Sequence, residues 1–301
     1  MRLNIKRWTD TNTLVLIGLF LVLSLLPACG CSHPSVNIPI DGNSSTVIDI
    51  SRLTEEETDI LGLYPKPTTL SHRIIDDGGR VVNLEQLGTF FVVWVPEGYA
   101  DMADRRVVVV LPGSGYTAYH EARVEWKRAT KYGYGHAIVG IQWWTGESGY
   151  LEAEEVYDVI NVALRYMEYR YGSELDKVAL RGFSRGAGIS YEVTFHDRDR
   201  GNDYFALTIA SSGGLPQSRG MTFSKRLQAG EYGPSPLAGT RFFMYCGMQD
   251  DDTCEHMRNT SDILEQYGAT VERFIEAPNT GHYSYKFIPE AIDLFNELTS
   301  D

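Results

Sequence analysis

Apolar and polar positions follow each other along the chain in the pattern of a protein built from strands and helices. Runs of apolar, β-branched or aromatic residues predict strands at 80–84, 89–95, 107–111, 136–144, 177–181, 204–211, 240–246 and 270–277. Helices are predicted at 152–171, where apolar residues recur every three or four positions, and at about 185–195, 252–266 and 288–299. The segment 212–239 is rich in glycine, proline and serine, which favours an irregular loop that could form a cleft rim.

The order of these elements predicts the fold class. Antiparallel strands come first, including a hairpin at 73–84 with the turn Asp77-Gly78-Gly79, and strand–helix units follow. This order is typical of an α/β protein with a doubly wound, mostly parallel sheet, antiparallel N-terminal strands and helices on both faces. We assign residues 70–301 to this domain. Residues 29–69 are predicted to be a polar tether with a short helix from Thr54 to about Leu63.

The first 28 residues have the features of an export signal. Basic residues are followed by a 13-residue apolar run at 14–26, which is shorter than the about 20 residues that span a bilayer. The run ends in Leu26-Pro27-Ala28-Cys29, which resembles a bacterial lipoprotein box. This resemblance implies a lipid on Cys29 and an extracytoplasmic protein anchored to a bacterial membrane. An ordinary cleaved signal peptide with an incidental cysteine is the alternative.

Charge and cysteine spacing narrow the partners. The formal net charge of −13 disfavours nucleic acid and bare anionic membranes as partners. Cys246 and Cys254 flank an acidic turn without C-x-x-C spacing, so outside the cytoplasm a disulfide is favoured over a metal pair. The acidic run 250–252 has neither the alternate ligand spacing nor the glycine of a calcium loop, and we predict no metal.

A candidate nucleophile lies between a strand and a helix. Ser184 occupies GFSRG, and glycines two residues to either side permit the sharp turn that exposes a nucleophilic hydroxyl. An ordinary serine in a glycine-rich turn is the alternative. A serine nucleophile needs a base and an orienting carboxylate, expected in the order serine, acid, histidine. The strand at 240–246 is followed by three aspartates at 250–252, and the strand at 270–277 is followed by His282.

GFSRG, GMQD and NTGH in this order resemble the α/β-hydrolase superfamily over roughly residues 70–300. Within it, the chain is similar to secreted esterases related to polyhydroxybutyrate depolymerases and feruloyl esterases. The resemblance implies Ser184 as nucleophile and His282 as base. It implies Asp250 as the acid, because the superfamily places this residue in a G-x-x-D turn, with Asp251 and Asp252 as neighbouring alternatives.

The sequence LPGSGYTA at 111–118 permits two interpretations. Its glycines have the spacing of a dinucleotide-binding turn, but the next strand ends without the acidic residue that would bind a ribose. A loop that receives an oxyanion is therefore favoured. The α/β-hydrolase resemblance implies that the N–H groups of Arg185 and Ser114 are the donors, with Gly115 as an alternative to Ser114.

Aromatic residues near this loop predict a substrate wall. Tyr116, Trp143 and Trp144 lie at or after the carboxyl ends of predicted strands. Core and rim packing is the alternative for each of them.

These features together predict a membrane-tethered, extracytoplasmic serine esterase. It would form an acyl-enzyme from a small-molecule or polymer ester, act as a monomer, and need no cofactor and no metal. A serine peptidase of the same fold is one alternative; we favour esters because the chain has no room for the β-propeller of size-selecting prolyl peptidases. A catalytically silent binding protein on the same scaffold is the other.

Overall fold

The computed structural model describes residues 34–41, 44–56, 76–146, 149–216, 222–250, 252–282 and 288–300. The predicted signal peptide, Cys29, the helix predicted beyond residue 56 and residues 73–75 of the predicted hairpin lie outside these residues. Within them, no helix has both the length and the apolar character needed to cross a bilayer.

A nine-stranded sheet forms the centre of the described protein. Its strands are β3 (Glu55–Glu56), β4 (Arg80–Leu84), β5 (Thr89–Trp94), β6 (Val107–Leu111), β7 (Ala137–Ile141), β8 (Val178–Phe183), β9 (Phe205–Ser211), β10 (Arg241–Gly247) and β11 (Thr270–Ala277). Their order is β11-β10-β9-β8-β6-β7-β5-β4-β3. Strands β6 to β11 are parallel, whereas β3, β4 and β5 are antiparallel to their neighbours. The predicted fold class is confirmed.

The described residues contain these α-helices: α1 (Ala118–Tyr132), α2 (Ala153–Tyr171), α3 (Arg185–Asp199), α4 (Phe223–Gln228), α5 (Thr253–Gln266) and α6 (Ile288–Leu298). Helix α1 was not predicted, and α4 lies within the segment predicted to be irregular. Strand β6 shows how both faces of the sheet are covered. Val107 and Val109 pack in the cluster that contains α2, and Val108 and Val110 pack in the cluster that contains α1 and α6. Burial on both faces explains the unbroken valine run.

The predicted tether is wrong for its described part. Strands β1 (Ser35–Asp41) and β2 (Ser44–Asp49) form an antiparallel hairpin. Ile38 and Ile48 are buried in the same cluster as α2, because alternate apolar residues of the hairpin face the domain. By its contacts, the chain from Pro34 onward is one compact unit.

The predicted helix at Thr54 is also wrong where the structure describes it. Glu55–Glu56 is strand β3 and pairs with β4. The Glu55 carboxylate accepts hydrogen bonds from the hydroxyls of Tyr166, at 2.9 Å, and Tyr171. These bonds to α2 are tertiary interactions that a local capping pattern does not reveal.

Candidate active site

Ser184 lies in a strained turn between β8 and α3. Its φ of 53° and ψ of −118° are unusual for a residue with a side chain, and such strain is typical of functional sites. The Ser184 N–H donates to the carbonyl of Ser211 at the end of β9, at 2.8 Å. A Cβ atom on Gly182 would overlap the Gly186 carbonyl, and one on Gly186 would overlap the Leu111 carbonyl. The two glycines of GFSRG are therefore required by backbone packing.

Two further glycines seat this turn in the sheet edge. A Cβ on Gly213 would overlap the Ser184 carbonyl, and one on Gly113 would lie 3.2 Å from the Ser184 Cβ. The loop after β6 and the loop after β9 therefore contact the turn from opposite sides. Ser184 is held at the carboxyl edge of the parallel strands, where α/β sheets place their sites.

Asp250 and His282 are brought together by neighbouring turns. The His282 Nδ1 lies 2.6 Å from Oδ2 of Asp250. A carboxylate only accepts hydrogen bonds, so Nδ1 carries the proton and Nε2 is left able to accept one. The Asp250 side chain is 13% exposed and that of His282 is 44% exposed. The pair therefore has a shielded acid and an accessible imidazole.

Backbone hydrogen bonds join these two turns. The Gln249 N–H donates to the Thr280 carbonyl at 2.8 Å, and the Met248 N–H donates to the Ala277 carbonyl at 2.9 Å. A Cβ on Gly247 would overlap the carbonyls of Thr280 and Gly281. The turn that carries Asp250 and the turn that carries His282 therefore pack against each other as one unit.

The aspartates at 250 and 252 differ in what they contact. Asp250 contacts His282, whereas Asp252 lies at the N-terminus of α5. Asp251 lies outside the described residues. Among the described carboxylates, Asp250 is the one placed to orient the imidazole.

The imidazole lies beside the nucleophile turn. The His282 ring centroid is 5.0 Å from that of Phe183, the residue before Ser184. Ser184 and His282 are not hydrogen-bonded to each other in this structure. In unliganded hydrolases such bonds are often long and tighten when substrate is present.

Two backbone N–H groups are available near Ser184. Arg185 is the first residue of α3, so its N–H has no helical carbonyl to which it could donate. The Gly115 N–H donates to the Tyr150 hydroxyl at 3.0 Å, whereas the Ser114 N–H has no partner among the described residues. Of the two predicted alternatives for the second oxyanion donor, the Ser114 N–H is therefore available to a ligand, whereas the Gly115 N–H is already hydrogen-bonded.

The predicted aromatic wall is wrong for Trp143. This side chain is 2% exposed, and its indole N–H donates to the Pro112 carbonyl at 3.0 Å. The Tyr150 ring covers it at 4.6 Å. Trp143 therefore supports the loop after β6 from beneath, because its position in the chain turns the indole toward the core.

The other two predicted aromatics are more accessible. Tyr116 is 45% exposed, and its ring stacks on that of His120 at 4.4 Å. Trp144 is half-buried and pairs with Tyr150 through an isolated β-bridge. Tyr150, which the sequence analysis did not single out, contacts both tryptophans and accepts a hydrogen bond from Gly115 in the loop after β6. Its only sequence signal is its place next to Gly149, in a loop that follows a predicted strand.

Buried charges lie below the site. Arg181 of β8 is 1% exposed and is paired with Glu121 at 3.2 Å and Glu125 at 3.5 Å, both on α1. Burial would raise the pKa of Glu121 and Glu125, but the neighbouring imidazoles of His120, at 3.3 Å from Glu121, and His136, at 3.6 Å from Glu125, and the charge of Arg181 lower the pKa of both overall. Both carboxylates are thus ionised partners that fix α1 to the strand preceding Ser184.

A disulfide lies beside the site. Cys246 and Cys254, for which the sequence favours a disulfide, are bonded in the structure, with Cα atoms 5.4 Å apart. This bond encloses the Asp250 turn. Within the described ranges, no group of three or more His, Cys, Asp and Glu side chains is placed to hold a metal.

Comparison with known proteins shows the fold. No protein-family model and no curated protein matches the sequence. Among solved structures, an S-formylglutathione hydrolase from Agrobacterium tumefaciens superposes with a TM-score of 0.56 and 14% identity, over 74% of this chain and 96% of that one. An esterase from Rhizomucor miehei has a TM-score of 0.53 and 14% identity, over 70% and 78%. A carboxylesterase from Mesorhizobium loti has a TM-score of 0.51 and 17% identity, over 72% and 98%. The protein therefore has the α/β-hydrolase fold.

Proposed function

We propose that the protein is a serine hydrolase that cleaves carboxylic esters. The observation that carries this proposal is the 2.6 Å contact between His282 and Asp250 beside the strained turn of Ser184. A hydroxyl, an imidazole and a carboxylate in this order are the groups that nucleophilic catalysis by serine requires.

The geometry suits a two-stage reaction. The Ser184 Oγ attacks the ester carbonyl carbon while Nε2 of His282 takes its proton, and Asp250 stabilises the imidazolium. The N–H groups of Arg185 and Ser114 donate to the oxyanion. The alcohol then leaves with the proton from His282. Water, deprotonated by the same imidazole, attacks the acyl-enzyme, and the acid is released as Ser184 regains its proton.

Ester cleavage is favoured over amide cleavage by the structures of similar fold. The three neighbours are described as an S-formylglutathione hydrolase, an esterase and a carboxylesterase. A peptidase of the same fold would use the same three side chains. Hydrolysis of an aminoacyl para-nitroanilide distinguishes the two: a peptidase cleaves it, whereas the proposed esterase is expected to cleave para-nitrophenyl acetate and leave the anilide intact.

The central experiment labels the nucleophile. A fluorophosphonate probe is expected to modify the wild-type protein and not Ser184→Ala. Asp250→Asn is expected to lower kcat roughly 10³- to 10⁴-fold, because it leaves the imidazole in the wrong tautomer. Asp252→Asn makes the same chemical change two residues away and is expected to keep near wild-type kcat. Labelling of Ser184→Ala, or equal losses in the two Asn variants, would contradict the proposal.

We also propose that the enzyme is held to a bacterial membrane, outside the cytoplasm, by a lipid on Cys29. The lipoprotein-like sequence 26–29 supports this, as does the Cys246–Cys254 disulfide, since such bonds persist mainly in oxidising compartments. Feeding cells an alkyne-tagged palmitate is expected to label the full-length protein but not Cys29→Ala. Labelling that survives this substitution would contradict the anchor.

A further inference from the structure

The strand order divides the site into two sides. His282 and Asp250 follow β11 and β10, on one side of the strand that precedes Ser184. The loops after β6 and β7, which contain Ser114 and Tyr150, lie on the other side. If the proposed function holds, the leaving alcohol must be near the imidazole that protonates it. The acyl half of the substrate is then directed toward the side of Tyr150.

A cation is held on this acyl side. The Arg185 side chain is exposed, and its guanidinium carbon lies 4.3 Å from the centroid of the Tyr150 ring. The Tyr150 hydroxyl accepts the Gly115 N–H, which ties the ring to the oxyanion loop. Arg185 directly follows Ser184 in the chain. The guanidinium is thus anchored within one side-chain length of the reacting carbonyl.

Arg185 differs from the other arginines that stack on tyrosine rings in the described residues. Each of those also pairs with a carboxylate: Arg165 with Glu168, Arg200 with Asp158 and Glu154, and Arg226 with Glu231. Arg185 has no described carboxylate oxygen within 4.0 Å. Within the described part of the chain, this guanidinium is therefore held by the Tyr150 ring and not by a carboxylate.

We propose that Arg185 is a specificity residue that binds a carboxylate on the acyl half of the substrate. The preferred substrates are then monoesters of dicarboxylic acids. A guanidinium can form two parallel charge-assisted hydrogen bonds with a carboxylate, which fixes orientation as well as sign. With a formal net charge of −13, the rest of the protein repels anions, so a local cation is needed to favour them.

Matched substrates with one leaving group test this proposal. Mono-para-nitrophenyl adipate carries the carboxylate, and its methyl ketone analogue has the same length without charge. Shorter diacids, each with its ketone analogue, scan the distance. The readout is the ratio of kcat/KM for the anionic ester to kcat/KM for the neutral one, corrected for spontaneous hydrolysis.

We expect the wild-type ratio to exceed one for at least one chain length and to fall about tenfold or more in Arg185→Gln. Arg185→Lys keeps the charge and is expected to retain part of the preference. Arg273→Gln removes an exposed arginine of β11 and should leave the ratio unchanged. Added NaCl should lower the wild-type ratio, because salt screens exposed charges.

A wild-type ratio of one or less at every chain length, or an Arg185→Gln ratio equal to the wild-type ratio, would overturn the proposal. If Arg185→Gln fails to fold, the salt dependence and Arg185→Lys still decide the matter. Neutral esters that are cleaved without any anionic preference refute this inference alone. No cleavage of either ester, together with no labelling of Ser184, refutes the proposed function instead.

Discussion

The disulfide that encloses the acid turn should contribute measurably to stability. Cys246 lies in β10 and Cys254 in α5, eight residues apart, with Asp250 between them. In the chain-entropy treatment, closing a loop of this length removes unfolded-state entropy worth about 2.5 kcal/mol at 25 °C. We therefore expect Cys246→Ala/Cys254→Ala to lower the free energy of unfolding by about this amount, plus a cavity contribution from the lost sulfur atoms.

The same change should affect catalysis much less. The Asp250 turn is also held by the backbone bonds from Gln249 to Thr280 and from Met248 to Ala277. Because these bonds remain, the carboxylate should stay near His282. We expect kcat to fall by much less than the about hundredfold that a 1 Å misplacement of a catalytic group can cause.

Urea denaturation followed by tryptophan fluorescence measures the stability change, and para-nitrophenyl acetate hydrolysis measures kcat. The two single Cys→Ala variants are the matched controls. Each single variant already loses the disulfide. If the crosslink is the source of the stability, the double variant should therefore be only slightly less stable than either single variant. Strictly additive losses would indicate packing instead. A double variant within about 0.5 kcal/mol of wild type would refute the reasoning.

Two further predictions concern the oxyanion loop and a buried carboxyl. Tyr150→Phe removes the acceptor of the Gly115 N–H, a hydrogen bond worth about 1 kcal/mol net, so kcat/KM should fall about fivefold. The control Tyr169→Phe changes an exposed tyrosine and should leave kcat/KM unchanged. Equal kcat/KM in the two variants would contradict a role for the Tyr150 hydroxyl. Burial raises the pKa of Asp197 to about 6, against hydrogen bonds from Phe205 N–H and other donors that lower it. The folded protein thus binds this proton more tightly than the unfolded chain does. The resulting stability is present below about pH 4 and is lost as pH rises through about 6. The change in unfolding free energy is about 3 kcal/mol. Urea unfolding across this pH range should show that the wild-type protein loses stability relative to Asp197→Asn as pH rises. A difference in unfolding free energy that stays constant with pH would contradict the raised pKa of Asp197.

The strands could be predicted because their own residues determine them. The valine run of β6 and the aromatic, β-branched run of β5 favour extended backbone; β6 is buried from end to end, and β5 is buried up to its last residue, the half-buried Trp94. Helix α1 was missed for the opposite reason. Part of its buried face is made of Glu121 and Glu125, so the apolar stripe that reveals a helix is interrupted. Their partner, Arg181, is 56 or more residues away in the chain, and no local pattern announces it.

The candidate site shows the same division. Ser184, Asp250 and His282 could be placed at one edge because each follows a parallel strand, and the carboxyl ends of such strands share an edge. Tyr150 could not be identified, because its role depends on a hydrogen bond to a loop 35 residues earlier. The burial of Trp143 depends on the same loop.

The two sides of the sheet edge differ in what holds them together, and this has an evolutionary consequence. Backbone bonds, a glycine contact and a disulfide hold the turns of Asp250 and His282, and these tolerate few replacements. Side chains such as Tyr150 and Arg185 build the opposite side, and these can be exchanged singly. The acyl preference proposed above can therefore change through single substitutions, whereas a change in the turns that hold Asp250 and His282 requires several coordinated ones.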